Sequence, residues 1–132
     1  MYRSRTFSIS IRCPWDQVYE FLVEPLNLPT WTQLGTRIEH VAGPDWKVET
    51  EDGPLFVRYH PRNKDGILDH AIFREGEEPL TQHMRIVPNG TDGSELVYTI
   101  YQRPGMADEV FDSEISWAES DLLALKSLLE AR

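Results

Sequence analysis

Apolar and polar residues alternate along most of this chain, and the pattern switches to a helical period at both ends of the alternating stretch. Phe7, Ile9 and Ile11 alternate with Ser8, Ser10 and Arg12, which predicts a half-buried strand over Thr6 to Arg12. Pro14 then suits a first helical turn, and Asp16 places negative charge near the positive helix end. Trp15, Val18, Tyr19 and Leu22 give that helix an apolar side through about Val23, and Pro25 interrupts it. A second short helix or turn is predicted over Leu26 to Gln33, with Pro29 as a local break.

A meander follows. Strands are predicted over Thr36 to Ala42, Trp46 to Thr50, Leu55 to His60, Ile67 to Arg74, Leu80 to Val87 and Glu95 to Arg103. Gly43-Pro44-Asp45, Glu51-Asp52-Gly53-Pro54, the loop Pro61 to Gly66, Glu75 to Pro79 and Pro88 to Gly93 separate them. Leu96, Tyr98 and Ile100 alternate with Val97, Thr99 and Tyr101, so apolar bulk on both faces makes the last strand central or covered on both sides. Pro104-Gly105 stops it. Asp108 to Glu130 then carries Phe111, Ile115, Ala118, Leu122, Leu125 and Leu129 as one helical stripe that needs a partner surface.

Strand, two short helices, six strands and a long helix make an α+β chain. Short turns favour antiparallel pairing, and a seven-stranded curved sheet wrapped around the C-terminal helix would bury its stripe, with the short helices closing one end of the groove. The stripe either completes a core or leaves a cavity beneath it.

The 132 residues fit a single domain spanning 1–132, with 40% hydrophobic and 27% charged residues. With 22 acidic against 13 basic residues the net charge is -9, and no basic cluster offsets it, which argues against nucleic acid as a partner. No apolar run reaches membrane-spanning length, and the first residues lack the long apolar run of a signal peptide. Cys13 is the only cysteine, so no internal disulfide forms, and a cytoplasmic setting is the simplest account. His40, His60, His70 and His83 are scattered over conflicting faces, no metal-ligand spacing occurs, and no Gly-rich phosphate loop is present, so neither a metal nor a cofactor is expected.

Three segments resemble the polyketide cyclase/dehydrase and lipid-transport superfamily, the START-like or Bet v 1-like helix-grip fold also called SRPBCC. They are Ile9-Ser10-Ile11-Arg12-Cys13-Pro14-Trp15-Asp16-Gln17-Val18-Tyr19-Glu20-Phe21-Leu22, Leu28-Pro29-Thr30-Trp31, and the helix end from Asp121 to Glu130. Gly66-Ile67-Leu68-Asp69-His70 and Met84-Arg85-Ile86-Val87-Pro88-Asn89-Gly90 also resemble small bacterial cyclase-like members. The resemblance covers nearly the whole chain. It implies a hydrophobic cavity between the long helix and the sheet but no universal catalytic set, because the fold hosts carriers, receptors, cyclases, hydrolases and chaperone activators.

On that frame, Trp31 is either a core anchor or an aromatic wall at the cavity mouth. Alternation nominates Trp46, Val57, Tyr59, Met84, Ile86, Leu96, Tyr98 and Ile100 on the sheet, and Ile115, Ala118 and Leu122 face them from the helix. Tyr59 and Tyr98 each join an apolar ring to a hydroxyl, which either orients a ligand or completes a core hydrogen bond. His70 shares a face with Leu68 and Ile72 and is a candidate acid/base, with Tyr59 or Tyr98 polarising a carbonyl. Adjacent Asp69 points to the opposite face, so the two form no simple dyad, and Asp69 instead pins a loop or neighbouring strand. Trp117 and Leu128 widen the helix stripe, and Trp117 meets the cavity roof, the short helices or a second subunit, which leaves a homodimer open.

Three functions compete. The first is binding of a small hydrophobic or aromatic ligand, lipid-like, isoprenoid or polyketide-like. The second is a cyclase or dehydratase using His70 and a cavity tyrosine. The third is a protein-interaction or chaperone-regulating module, which a solid interior would favour.

Overall fold

The computed structural model describes residues Met1–Arg132. Strand β1 (Ser4–Ile11) leads into helix α1 (Trp15–Val23), with Pro14 at the N-cap just outside the first turn. The Pro14 carbonyl accepts from the Gln17 and Val18 amides at 3.0 and 3.1 Å, so the proline starts the helix without having to donate. Pro25 lacks the N–H needed to extend α1. The chain instead makes a 3-10 turn (Pro25–Asn27) and the one-turn helix α2 (Leu28–Trp31).

Six strands follow: β2 (Ile38–Ala42), β3 (Asp45–Thr50), β4 (Gly53–Tyr59), β5 (His70–Phe73), β6 (Thr81–Asn89) and β7 (Gly93–Tyr101). They pair antiparallel in the order β1-β7-β6-β5-β4-β3-β2. The predicted seven-stranded sheet, two short helices and long C-terminal helix α3 (Asp108–Glu130) are all present. Strand β7 lies between β1 and β6, with Leu96, Tyr98 and Ile100 buried on the inner face. Its outer residues Val97, Thr99 and Tyr101 are half-buried among neighbouring strands.

Several strand ends differ from the expected ones by one or two residues, as β7, Gly93–Tyr101 rather than Glu95 to Arg103, and two larger differences have a local cause. The strand expected from Ile67 begins only at His70, because Asn63 holds the preceding loop. Its side-chain oxygen accepts from the Asp65 and Ile67 amides at 2.9 and 3.0 Å, and its amide donates to the Ile67 carbonyl at 2.9 Å. Gly66 has φ +71° and lies so close to β6 that a Cβ would sit 2.2 Å from the Ile86 carbonyl oxygen. In turn, β6 runs through Pro88 and Asn89, which the loop composition had suggested were outside it. The Ile86 amide points away from β7 to Gly66, and two residues on the Pro88 nitrogen points the same way, at an unpaired edge where a missing N–H costs no ladder bond.

The buried residues form two groups. The larger joins α1 (Val18, Tyr19, Leu22), the inner faces of β1, β6 and β7, and α3 (Phe111, Leu122, Leu125, Leu129). The smaller, Ile38, Val48 and Val57, lies on the far limb of the sheet. Helix α3 is tied to β1 and the residues flanking it: Arg3 donates to Asp112 at 2.8 Å, the Arg12 amide to Glu130 at 2.8 Å, and Lys126 to the Ser10 carbonyl. The far limb curves away from this line and leaves a space under the helix.

Candidate functional site

That space is a cavity of about 490 Å³. Its floor comes from the inner faces of β4 to β7 through Val57, Tyr59, His70, Met84, Tyr98 and Ile100. One end is closed by Leu22 of α1 and by Leu28 and Trp31 of α2. The roof is the α3 face carrying Glu114, Ala118, Asp121 and Leu122, with Trp117 on the rim and 58% exposed. Helical spacing explains the roof: positions 114, 118, 121 and 122 fall on one side, and the small alanine leaves room beneath it.

Four sequence candidates lie outside this wall. Trp46 is on the expected inner face, paired across β3–β4 with Val57, but it sits toward the far edge, where it packs on the Ile38–Val48–Val57 group and against the His40 ring at 5.0 Å. Ile86 and Leu96 are opposite each other in register and 1% and 0% exposed. They lie at the end where α1 covers the sheet, so Val18 and its neighbours fill the space above them. Ile115 packs on the larger core, on the side of α3 that is tied to β1. Alternation identifies the face a residue occupies, but not whether a helix covers that part of the face.

His70 is the central polar group of the floor. Its Nδ1 lies 3.0 Å from the Leu68 carbonyl and its Nε2 3.3 Å from the Tyr98 hydroxyl, with the two rings stacked at 5.5 Å. Burial lowers the basicity of His70, against smaller opposing effects from the Leu68 carbonyl and the Asp69 charge. Burial likewise pushes the Tyr98 phenol well above its usual range, helped by the negative charges of Glu114 and Asp121. Tyr59 is raised by burial and by Glu24. Asp69 turns away from His70, as adjacent strand positions require. It accepts from the Met84 amide at 3.0 Å and from His83 at 3.1 Å, and it pairs with Arg85. Burial alone would raise the Asp69 carboxyl, but Arg85, the Met84 amide and His83 together hold it below the usual range.

The roof carries two acidic groups that lie outside the apolar stripe. Burial raises Asp121 to about 6, with Gln33 opposing, and Oδ1 has no hydrogen-bond partner. Burial also raises Glu114, with Arg103 opposing and Glu77 adding to it. Gln82 is a third polar group of the wall outside the sequence candidates, and its Oε1 is also without a partner. The sequence did contain a signal for each. Gln82 shares parity with Met84, and Glu114 and Asp121 flank Ala118 at helical spacing, where the apolar stripe is narrowest.

No three His, Cys, Asp or Glu side chains converge in a metal-holding geometry. Cys13 is 6% exposed, and burial is the main influence raising its thiol, so its place before α1 does not produce a thiolate. No helix is long and apolar enough to cross a membrane.

The fold places the chain among proteins built as a curved sheet gripping a C-terminal helix. A START superfamily protein from Mycobacterium smegmatis superposes with TM-score 0.76 at 12% identity over 99% of both chains. Ara h 8.0201 superposes with TM-score 0.77 at 15% identity over 100% of both. The Zhui aromatase/cyclase from Streptomyces sp. R1128 superposes with TM-score 0.70 at 13% identity over 99% of this chain and 93% of that one. No family model and no curated protein matches the sequence. The chain has the START-like, Bet v 1-like helix-grip fold.

Proposed function

We propose that the protein binds a small hydrophobic or aromatic molecule in the cavity beneath α3. The observation that carries this reading is the unfilled space of about 490 Å³ between two separate groups of core residues. That volume is within the range of roughly 300–1,000 Å³ typical of small-molecule sites, and the wall is mainly apolar with a few polar groups, as such sites require. The candidate contacts are Trp31, Tyr59, His70, Tyr98, Ala118 and Leu122, with Val57, Met84 and Ile100 supplying apolar floor. The lone buried Cys13 supports a reducing, cytoplasmic setting, and the charge of -9 argues against a nucleic-acid role. The unfilled interior gives a protein-interaction module less support.

The test is uptake of a neutral fluorescent probe, N-phenyl-1-naphthylamine, by purified protein, beside an Ala118→Trp variant that blocks the roof. The reading expects saturable emission from the parent and its loss in the folded variant. Equal emission from both, or none from either, would overturn it.

One observation favours a second reading as a cyclase or dehydratase, the 3.3 Å contact between His70 Nε2 and the Tyr98 hydroxyl. A neutral imidazole at that position takes the Tyr98 proton while the phenol oxygen takes one from a substrate, a general-base relay, and Tyr59 remains to polarise a carbonyl. Loss of turnover with retained binding in His70→Gln supports this role, whereas unchanged turnover removes His70 from it.

A further inference from the structure

The polar groups of the cavity have fixed hydrogen-bonding roles. The Leu68 carbonyl can only accept, so the His70 Nδ1 atom 3.0 Å away must carry hydrogen. A neutral imidazole carries one such hydrogen, which leaves Nε2 as an acceptor and makes Tyr98 the donor in their 3.3 Å contact. Desolvation keeps the imidazole neutral, in agreement with that assignment. Tyr98, only 9% exposed, therefore has its hydrogen committed and presents oxygen lone pairs alone. Thr32, also in the wall, commits its hydroxyl hydrogen to the Leu28 carbonyl at 2.8 Å.

On the roof, Asp121 Oδ1 lacks any partner, and Gln82 Oε1 on the floor is in the same condition. Each arginine of the wall has an acceptor partner of its own: Arg62 donates to Glu20 at 3.0 Å, Arg103 to the Glu78 carbonyl beside Glu77, and Arg74 to the Asp52 carbonyl at 3.5 Å. The Tyr98 oxygen and Asp121 Oδ1 thus form a pair of acceptors facing the enclosed space, distinct from the donors of the wall, the Tyr59 hydroxyl and the indole N–H groups of Trp31 and Trp117.

We infer that the cavity selects an apolar molecule bearing hydrogen-bond donors, a hydroxyl or an amine N–H, held between the Tyr98 oxygen and the Asp121 carboxylate, and discriminates against carbonyl and carboxylate groups at the same place. This deepens the binding role proposed above and rests on it. The physical reason is that a ligand acceptor set against these atoms leaves both sides buried and unpaired, whereas a donor satisfies an atom that is already desolvated.

The experiment displaces N-phenyl-1-naphthylamine with four ligands of one shape: 2-naphthol, 2-naphthylmethylamine, 2-acetonaphthone and 2-naphthoate. Both donor ligands should bind at least tenfold more tightly than the ketone, and the carboxylate most weakly. A lead for the amine identifies Asp121 as the principal acceptor, and a lead for the naphthol identifies Tyr98; either outcome supports the inference. Asp121→Asn, which introduces an amide donor at the same position, should shrink the gap between amine and ketone several-fold. Ketone or carboxylate binding as tight as naphthol, or no displacement by any of the four, overturns the donor preference while probe uptake leaves the cavity role standing. Failure of the probe itself to enter removes the binding role and this inference with it.

Discussion

Replacing Ala118 with leucine separates a hollow interior from a filled one by the sign of a single number. Ala118 lies in the roof over about 490 Å³ of unfilled space, and helical side chains lean toward the N-terminus, so the leucine would extend beneath Glu114. Three added carbons removed from water are worth roughly 2.4 kcal/mol at about 0.8 kcal/mol per methylene. Restricting the leucine rotamers costs about 0.5–1 kcal/mol, and the difference in helix propensity is small. The net expectation is a stabilisation of about 1–2 kcal/mol. For a chain between the small and mid-sized classes, that raises the midpoint temperature by roughly 3–5 °C per kcal/mol. The assay is urea and thermal unfolding followed by circular dichroism, with probe affinity measured on the same samples. Stability should rise while affinity falls, because the added carbons occupy ligand space. If helix and sheet instead met fully, the same carbons would be overpacked and would cost about 1–3 kcal/mol. A destabilised variant with an unchanged native spectrum therefore refutes the cavity.

Other substitutions test neighbouring parts of the account. Leu125→Ala, at a position 0% exposed in the filled core, should cost near the upper end of about 2–5 kcal/mol. Leu122→Ala should fall near the lower end, because one flank of Leu122 already faces the void; equal urea midpoints for the two would contradict that difference. Gly66→Ala combines a φ of +71° with a Cβ 2.2 Å from the Ile86 carbonyl oxygen, so it should destabilise by more than about 2 kcal/mol, and a near-parental melting curve would show that the loop relaxes freely. Asp121 titrates near 6 in the folded chain against about 3.9 unfolded, so the native state holds the extra proton between these values and its stability falls as pH rises through that window. Asp121→Asn should match its parent at pH 3.5 and exceed it at pH 7.5 by on the order of 1 kcal/mol, reduced by solvent screening at this half-exposed site. His70 acts with the opposite sign, its contribution present above about 6.5 and lost as pH falls, and comparing variant with parent at each pH cancels it. A gain independent of pH would show that the Asp121 carboxylate is not desolvated.

The fold was legible because period and punctuation agreed. Phe7, Ile9 and Ile11 named one face of β1, and the helical stripe marked α3 from Asp108 to Glu130. The site was legible only in part. Tyr59, His70, Met84 and Tyr98 lie in the wall because parity places them on the inner face. Parity places Ile86 and Leu96 on that face as well, yet α1 covers them and makes them solid core. The choice between wall and core depends on where α1 and α3 lie across a curved sheet, which is long-range packing and leaves no periodic trace in either strand. Asp121 and Glu114 were missed for a related reason: a carboxylate beside an apolar stripe reads as the solvated margin of a helix, and it becomes an interior group only when the opposite limb of the sheet curves away from the stripe.

That curvature explains why the space persists. Helix α3 is held near both ends to the residues flanking β1, through Arg3 and Asp112 at one and Arg12 and Glu130 at the other, while Gln33, just beyond α2, donates to Ser120 at 3.2 Å. The helix therefore cannot sink toward β4 without breaking contacts along β1, and the far limb is fixed by its own group of Ile38, Val48 and Val57. A folded chain gains nothing from a void whose roof carries a desolvated carboxylate. A leucine at position 118 and an uncharged residue at position 121 are both expected to be more stable by the magnitudes given above. If those two variants are the more stable ones, alanine and aspartate keep the interior below the stability this backbone permits, the expected signature of a site shaped for an occupant. The His70–Tyr98 pair fits the same logic, since a floor built for stability alone would replace two aromatic polar groups with aliphatic ones and need no hydrogen bond between them.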